Sequence, residues 1–284
     1  MSATAAGRID SHQHFWRYTA AKYSWISESM GALQHDFLPD DLQRAFDGTG
    51  ITGCIAVQAC QTIDETEWLL ELAARHGFIR GVVGWVPLID GKVDKALARV
   101  TANPKLRGIR HILQDEPDPL YMLRDDFNRG IRALKPLSLV YDILIFERHL
   151  PQTIRFVDRH PDQVFVLDHL AKPKVRENKV SPWRENMAEL ARRPNVYCKI
   201  SGLVTEADHQ AWTEQQLVPY LDTVLEAFGP KRLMFGSDWP VCLLAATYTK
   251  WLSIVENVLS RLSESEQKQI WSATAEEAYR LQRS

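Results

Sequence analysis

The chain has 284 residues, 45% of them hydrophobic, enough to bury one large core. Its formal net charge of −2 argues against nucleic acid or an anionic membrane as partner. No apolar stretch approaches the roughly 18 residues of a membrane span, and residues 1–8 lack the apolar segment of a secretion signal.

Short apolar, β-branched runs at 9–14, 51–59, 79–88, 106–113, 137–145, 164–169, 196–201 and 233–238 read as eight strands. Most lack polar alternation, the pattern of strands covered on both faces. Helical periodicity fills the gaps. A helix at 40–46 precedes the second strand. The clearest is 62–76, where Thr62 and Glu65 form a capping box, Trp68, Leu69, Leu72 and Ala73 make the buried stripe, and Gly77 marks the stop. Helices at 92–101, 125–134 and 150–160 follow. The next, at 182–192, has Ser181 as cap and Pro182 in its first position. Helices at 215–228 (ended by Gly229) and 248–262 come next. The last, 265–281, is expected to break at Thr274, where Thr274 and Glu277 offer a second capping box.

Eight strands alternating with about eight helices predict a single (β/α)8 TIM barrel spanning residues 1–284, with its site at the carboxyl ends of the strands. The competing open, doubly wound sheet is disfavoured because no G-x-G-x-x-G or P-loop is present. Between His14 and Ile51 the connection is too long for a simple βα loop. It carries Phe15, Trp16, Tyr18, Tyr23 and Trp25, and is expected to fold over the barrel mouth.

The strand ends supply the chemistry. The first gives His12 and His14, two apart and so on one face of a strand, a spacing suited to a shared ion. Others give Gln58, Arg110 with His111, Asp142, Asp168 with His169, Lys199 and Asp238. Buried polar groups cost a few kcal/mol unless paired. Asp142, Asp168 and Lys199 are therefore read as a hydrogen-bonded rim, His169 as a third ligand, and Asp238 as the catalytic carboxylate. His35, His76, His149, His160 and His209 read as surface residues. Lys172-Pro173-Lys174-Val175-Arg176 reads as a solvated loop. Cys54, Cys60, Cys198 and Cys242 form no C-x-x-C pair, which predicts buried free thiols and a reducing, cytoplasmic setting.

The ordered set Ile9-Asp10-Ser11-His12-Gln13-His14-Phe15-Trp16, Gly81-Val82-Val83-Gly84-Trp85-Val86, Leu106-Arg107-Gly108-Ile109-Arg110-His111, Val166-Leu167-Asp168-His169-Leu170-Ala171-Lys172-Pro173, Lys199-Ile200-Ser201-Gly202 and Phe235-Gly236-Ser237-Asp238-Trp239-Pro240-Val241 resembles the amidohydrolase superfamily. The resemblance is to its amidohydrolase 2 branch, and within it to the sugar-lactonase group. It implies hydrolysis of an aldonolactone, such as L-fucono-, L-galactono- or L-rhamnono-lactone, in carbohydrate catabolism. Asp238 would activate water and His169 would assist. Trp25, Gln58, Arg110, His111, Lys172 and Trp239 would contact substrate, with Trp25 and Trp239 walling the mouth.

The resemblance also implies one divalent ion, zinc, held by His12, His14, His169 and Asp238. Binuclear members carry a lysine on the fourth strand and a histidine on the fifth, where this chain has Arg110, His111 and Asp142. Some lactonases of the branch work without metal, which separates occupancy from necessity. Other members decarboxylate aromatic or unsaturated acids with one metal, the competing reaction. A barrel that only binds sugar or metal is the non-catalytic alternative.

Overall fold

The computed structural model describes residues 7–281. Residues 1–6, within the stretch read as lacking a secretion signal, lie outside it. Eight parallel strands follow one another round a cylinder in chain order. They are β1 Arg8–Gln13, β2 Ile51–Val57, β3 Ile79–Gly84, β4 Leu106–Ile112, β5 Val140–Leu144, β6 Phe165–Leu167, β7 Val196–Ile200 and β8 Leu233–Phe235. All but β1 are a residue or more shorter than their apolar runs, because the polar strand ends turn out of the ladder into the βα loops.

Closure brings the two ends of the chain together. The His14 amide donates to the Trp239 carbonyl at 2.7 Å, and the Asp238 amide to the His12 carbonyl at 2.8 Å. Ser11 Oγ donates to the Phe235 carbonyl at 2.6 Å. The barrel predicted from the alternating pattern is the observed architecture.

The helices α1 Pro39–Phe46, α2 Ile63–Arg75, α3 Val93–Thr101, α4 Asp125–Arg132, α5 Leu150–Asp158, α6 Trp183–Leu190, α7 Glu214–Phe228 and α8 Tyr248–Leu259 ring the sheet. Thr62 caps α2 by accepting from the Glu65 amide at 3.2 Å. The expected reciprocal bond is replaced, because the Glu65 carboxylate turns to the Ala59 and Cys60 amides at 2.9 and 2.6 Å. Pro182, expected inside α6, is its N-cap residue instead of Ser181. The terminal helix breaks earlier than predicted. It runs as α9 Glu264–Lys268, a π turn Gln269–Ala273 and α10 Thr274–Ala278, with no cap at Thr274. Thr274 Oγ1 donates instead to the Pro230 carbonyl at 3.2 Å, a contact between distant segments.

Two apolar layers result. One lies between sheet and helices. The other fills the barrel with Ile9, Ile55, Val57, Val83, Val140, Val166 and Met234, plugged from below by Ala275, Ala278, Tyr279 and Leu281. His149 and His160, expected at the surface, are buried at 4% and 7% exposure. His160 Nε2 lies 2.7 Å from Asn128 Oδ1, and its ring packs on Phe156 and Phe165.

The long segment after β1 does cover the mouth. Trp16 and Phe37 exchange backbone hydrogen bonds of 3.0 and 2.9 Å, and Trp25 Nε1 donates to the Ala59 carbonyl at 3.0 Å. Among the described residues no helix is long and apolar enough to cross a membrane.

Candidate active site

His12 and His14 lie at the end of β1, as their spacing requires, with 3.2 Å between their Nε2 atoms. The third imidazole comes from the turn after β6. There His169, Leu170, Ala171 and Lys172 all have positive φ, a backbone path that swings His169 inward. Gly202 makes room for it: a Cβ at that position would lie 2.4 Å from His169 Nδ1, and its φ of +62° suits glycine. Gly236 serves His12 in the same way, since a Cβ there would meet that of His12 at 2.7 Å.

Asp238 completes the group from the end of β8. Its Oδ1 lies 3.4 Å from His14 Nε2 and 3.8 Å from the Nε2 atoms of both His12 and His169. A tetrahedral ion with bonds of about 2.1 Å would space its ligands about 3.4 Å apart, close to these distances.

The outer nitrogens are engaged as ligating histidines require. His12 Nδ1 meets Asp168 Oδ1 at 3.2 Å, His14 Nδ1 the Val57 carbonyl at 2.8 Å, and His169 Nδ1 Ser201 Oγ at 2.9 Å. Burial pushes the His169 imidazole down to about 4 and His12 well below its ordinary value, so both are neutral with lone pairs to offer. Burial opposes charge on Asp238. The carboxyl falls below the usual carboxylate range only as His169 and His12 take up positive charge beside it and His14 hydrogen-bonds to it. His12, His14 and Asp238 are compact enough to hold one divalent ion, and His169 stands at the edge of that set, 3.8 Å from Asp238.

A second grouping, His12, Asp168 and His169, is also compact. It is a poorer cradle, because Asp168 is committed to Lys199 at 3.0 Å and Arg110 at 2.9 Å. Asp142, Asp168 and Lys199 therefore form a buried network beneath the imidazoles, deeper than the expected rim.

The cavity above has a volume of about 120 Å³. Among the residues expected to touch substrate, Trp25, Arg110 and Lys172 line it, with His14, His169 and Asp238. Lys172 thus belongs to the site rather than to a solvated loop.

Gln58, His111 and Trp239 do not line the cavity. Gln58 is buried as a seat for Arg110, whose Nη2 contacts its backbone carbonyl and lies 3.4 Å from its Oε1. His111 is held by Glu116 at 2.6 Å and stacks on Tyr121. Trp239 packs on Phe15 and Phe37. Sequence reasoning missed Gln114, Asp115 and Thr205, which do line the cavity, beside apolar Ile112, Leu144 and Val241. Their only signal was position in the loops that follow β4 and β7.

A (β/α)8 barrel whose strand ends gather three imidazoles and a carboxylate beside one cavity is a hydrolase scaffold with room for a metal ion. The chain belongs to the amidohydrolase family, whose model matches residues 9–281. It is 47% identical to an L-fucono-1,5-lactonase of Burkholderia multivorans over 285 aligned residues, 96% of each chain. It is 36% identical to an L-fucono-1,5-lactonase of Burkholderia ambifaria over 97% of this chain and 96% of the other. The crystal structure of an amidohydrolase from Burkholderia multivorans with bound zinc superposes with a TM-score of 0.95 at 47% identity, covering 98% of this chain and 100% of that one.

Proposed function

We propose that the protein hydrolyses a sugar-acid lactone to the aldonic acid, with an L-fucono-type 1,5-lactone as the preferred class. The observation that carries this reading is Asp238 at the cavity wall, within 3.4–3.8 Å of the imidazoles of His14, His12 and His169. The likeness to two L-fucono-1,5-lactonases supports the substrate class.

The residues divide the work as follows. Water attacks the lactone carbonyl carbon, and Asp238 takes its proton as the C–O bond forms. The tetrahedral oxyanion then collapses, the ring C–O bond breaks, and the Asp238 carboxyl returns the proton to the departing ring oxygen. Arg110, fixed by Asp168 and Gln58, offers a buried cation to the developing negative charge. Lys172 and the Trp25 ring bind the polyol, and the lid segment keeps bulk water out.

The low proton affinity of Asp238 imposes a demand: the attacking water must be acidified or the carbonyl polarised. A divalent ion on His12, His14, His169 and Asp238, zinc in this reading, supplies that Lewis acidity when bound. Four free cysteines among the described residues support a reducing, cytoplasmic setting for the reaction.

The test is acid release from L-fucono-, L-galactono- and L-rhamnono-lactones, run beside carbon dioxide release from hydroxybenzoates. Acid from at least one lactone and no carbon dioxide is the expected result. Carbon dioxide alone would assign a decarboxylase, and neither product would overturn the reading.

A further inference from the structure

One wall of the cavity has no part in the scheme above. Leu113–Asp115 form a single 3-10 turn directly after β4, and both Gln114 and Asp115 line the cavity. Gln114 Oε1 is buried and meets no donor among the described residues. Buried carbonyls without a partner are rare and costly, so an orphan at a cavity wall points to a ligand that supplies the missing donor.

The turn is braced. His111 Nδ1 accepts from Trp85 Nε1 at 3.3 Å, which leaves the imidazole proton on Nε2 to be donated to Glu116 Oε1 at 2.6 Å. The same ring stacks on Tyr121 with centroids 5.1 Å apart and planes 4° apart. The Ile112 amide donates to Gln61 Oε1 at 2.8 Å. These contacts fix the path of the turn and so the point from which Gln114 enters the cavity wall.

Its free atom can only accept, and so can the neighbouring Asp115 carboxylate. An unsubstituted lactone brings a carbonyl and a ring oxygen, both acceptors, and satisfies neither. A ring hydroxyl donates. We infer that Gln114, seconded by Asp115, reads the hydroxyl groups of the substrate and selects polyhydroxylated lactones over deoxygenated ones.

The inference rests on the lactonase reading. A site built to hydrogen-bond a hydroxyl discriminates strongly against the analogue that lacks it, because its own polar group is then stranded.

The experiment compares kcat/KM for the best aldonolactone with kcat/KM for δ-valerolactone, in the wild type and in Gln114→Leu, Gln114→Glu and Asp115→Ala. Gln114→Leu is expected to lower the aldonolactone preference roughly ten- to hundredfold, while Gln114→Glu, which keeps an acceptor, retains most of it. A preference unchanged within about threefold, or an equal loss on both substrates, would overturn the inference. Should Gln114→Leu not fold, as judged by its circular dichroism melt, Asp115→Ala on the exposed turn decides. A selective loss of about threefold or more supports the inference, and none overturns it. A wild type that cleaves aldonolactones and δ-valerolactone equally well contradicts this inference alone. One that cleaves no aldonolactone contradicts the function as well.

Discussion

Asp168 Oδ1 lies 3.2 Å from His12 Nδ1, and this contact helps to turn the His12 ring so that Nε2 points to His14 and Asp238. Lys199 Nζ lies 3.1 Å from the same Nδ1, so a carboxylate and a cation together orient the ring. Asp168 is in turn pinned by Arg110 at 2.9 Å and Lys199 at 3.0 Å. Lys199 also meets Asp142 at 2.6 Å, and the Tyr279 hydroxyl donates to Asp142 at 2.8 Å. Two cations and two carboxylates thus form a buried, balanced cluster beneath the imidazoles.

Balance predicts how that cluster responds to mutation. Lys199→Met leaves Asp142 without its cation and should destabilise the fold by about 3–5 kcal/mol. Adding Asp142→Asn to the same chain restores neutrality and should recover most of the loss. Urea denaturation of both variants measures this. A double variant no more stable than the single one would show that charge balance is not what the cluster supplies.

Gly202 is a sharper probe of His169. Gly202→Ala places a methyl 2.4 Å from the ring nitrogen and costs about 1–2 kcal/mol from its left-handed φ alone. The expected outcome is a drop of roughly tenfold or more in kcat/KM together with a lowered thermal midpoint. Wild-type kinetics in this variant would remove His169 from the site.

Glu65 links the lid to the barrel, accepting from the Ala59 and Cys60 amides and from the Tyr23 hydroxyl at 3.0 Å. Burial outweighs these bonds and raises its carboxyl to about 7 from an ordinary value of 4.5. The folded state therefore binds the proton more tightly than the unfolded chain. Its stabilising contribution is complete below about pH 4.5 and is lost as pH rises through about 7, to the extent of about 3 kcal/mol. Glu65→Gln should flatten stability between those limits, as read by denaturant titrations at several pH values. An unchanged slope would mean that Glu65 is ionised throughout.

Ligand linkage tests the ion site without reference to turnover. Zinc added to chelator-treated protein should raise the unfolding free energy by about 2.7 kcal/mol at a hundred times its dissociation constant. His14→Asn should abolish the rise. The same rise in that variant would place the ion elsewhere.

The fold was legible because parallel strands buried on both faces are continuous apolar runs, and eight of them alternate with amphipathic helices. The His12, His14, His169 and Asp238 cluster was legible because each polar residue ends an apolar strand. What escaped depended on contacts between distant segments. No local pattern reveals that Tyr279, just past the last helix, reaches Asp142 inside the barrel, or that His160 is covered by Phe156 and Phe165. Gln58, His111 and Trp239 sit where strand-end logic puts substrate contacts, yet each is turned toward a neighbour: Arg110, Glu116 with Tyr121, and Phe37. Side-chain direction in the loops, set by these packing partners, decided which residues line the cavity.

The proposed chemistry turns on Asp238, the carboxylate that follows β8. Steady-state hydrolysis of L-fucono-1,5-lactone by Asp238→Asn, beside wild type and with thermal melts of both, tests it most directly. The expected result is a fall in kcat of roughly a hundred- to ten-thousandfold with the fold retained. Near-wild-type turnover in a folded Asp238→Asn protein would contradict it.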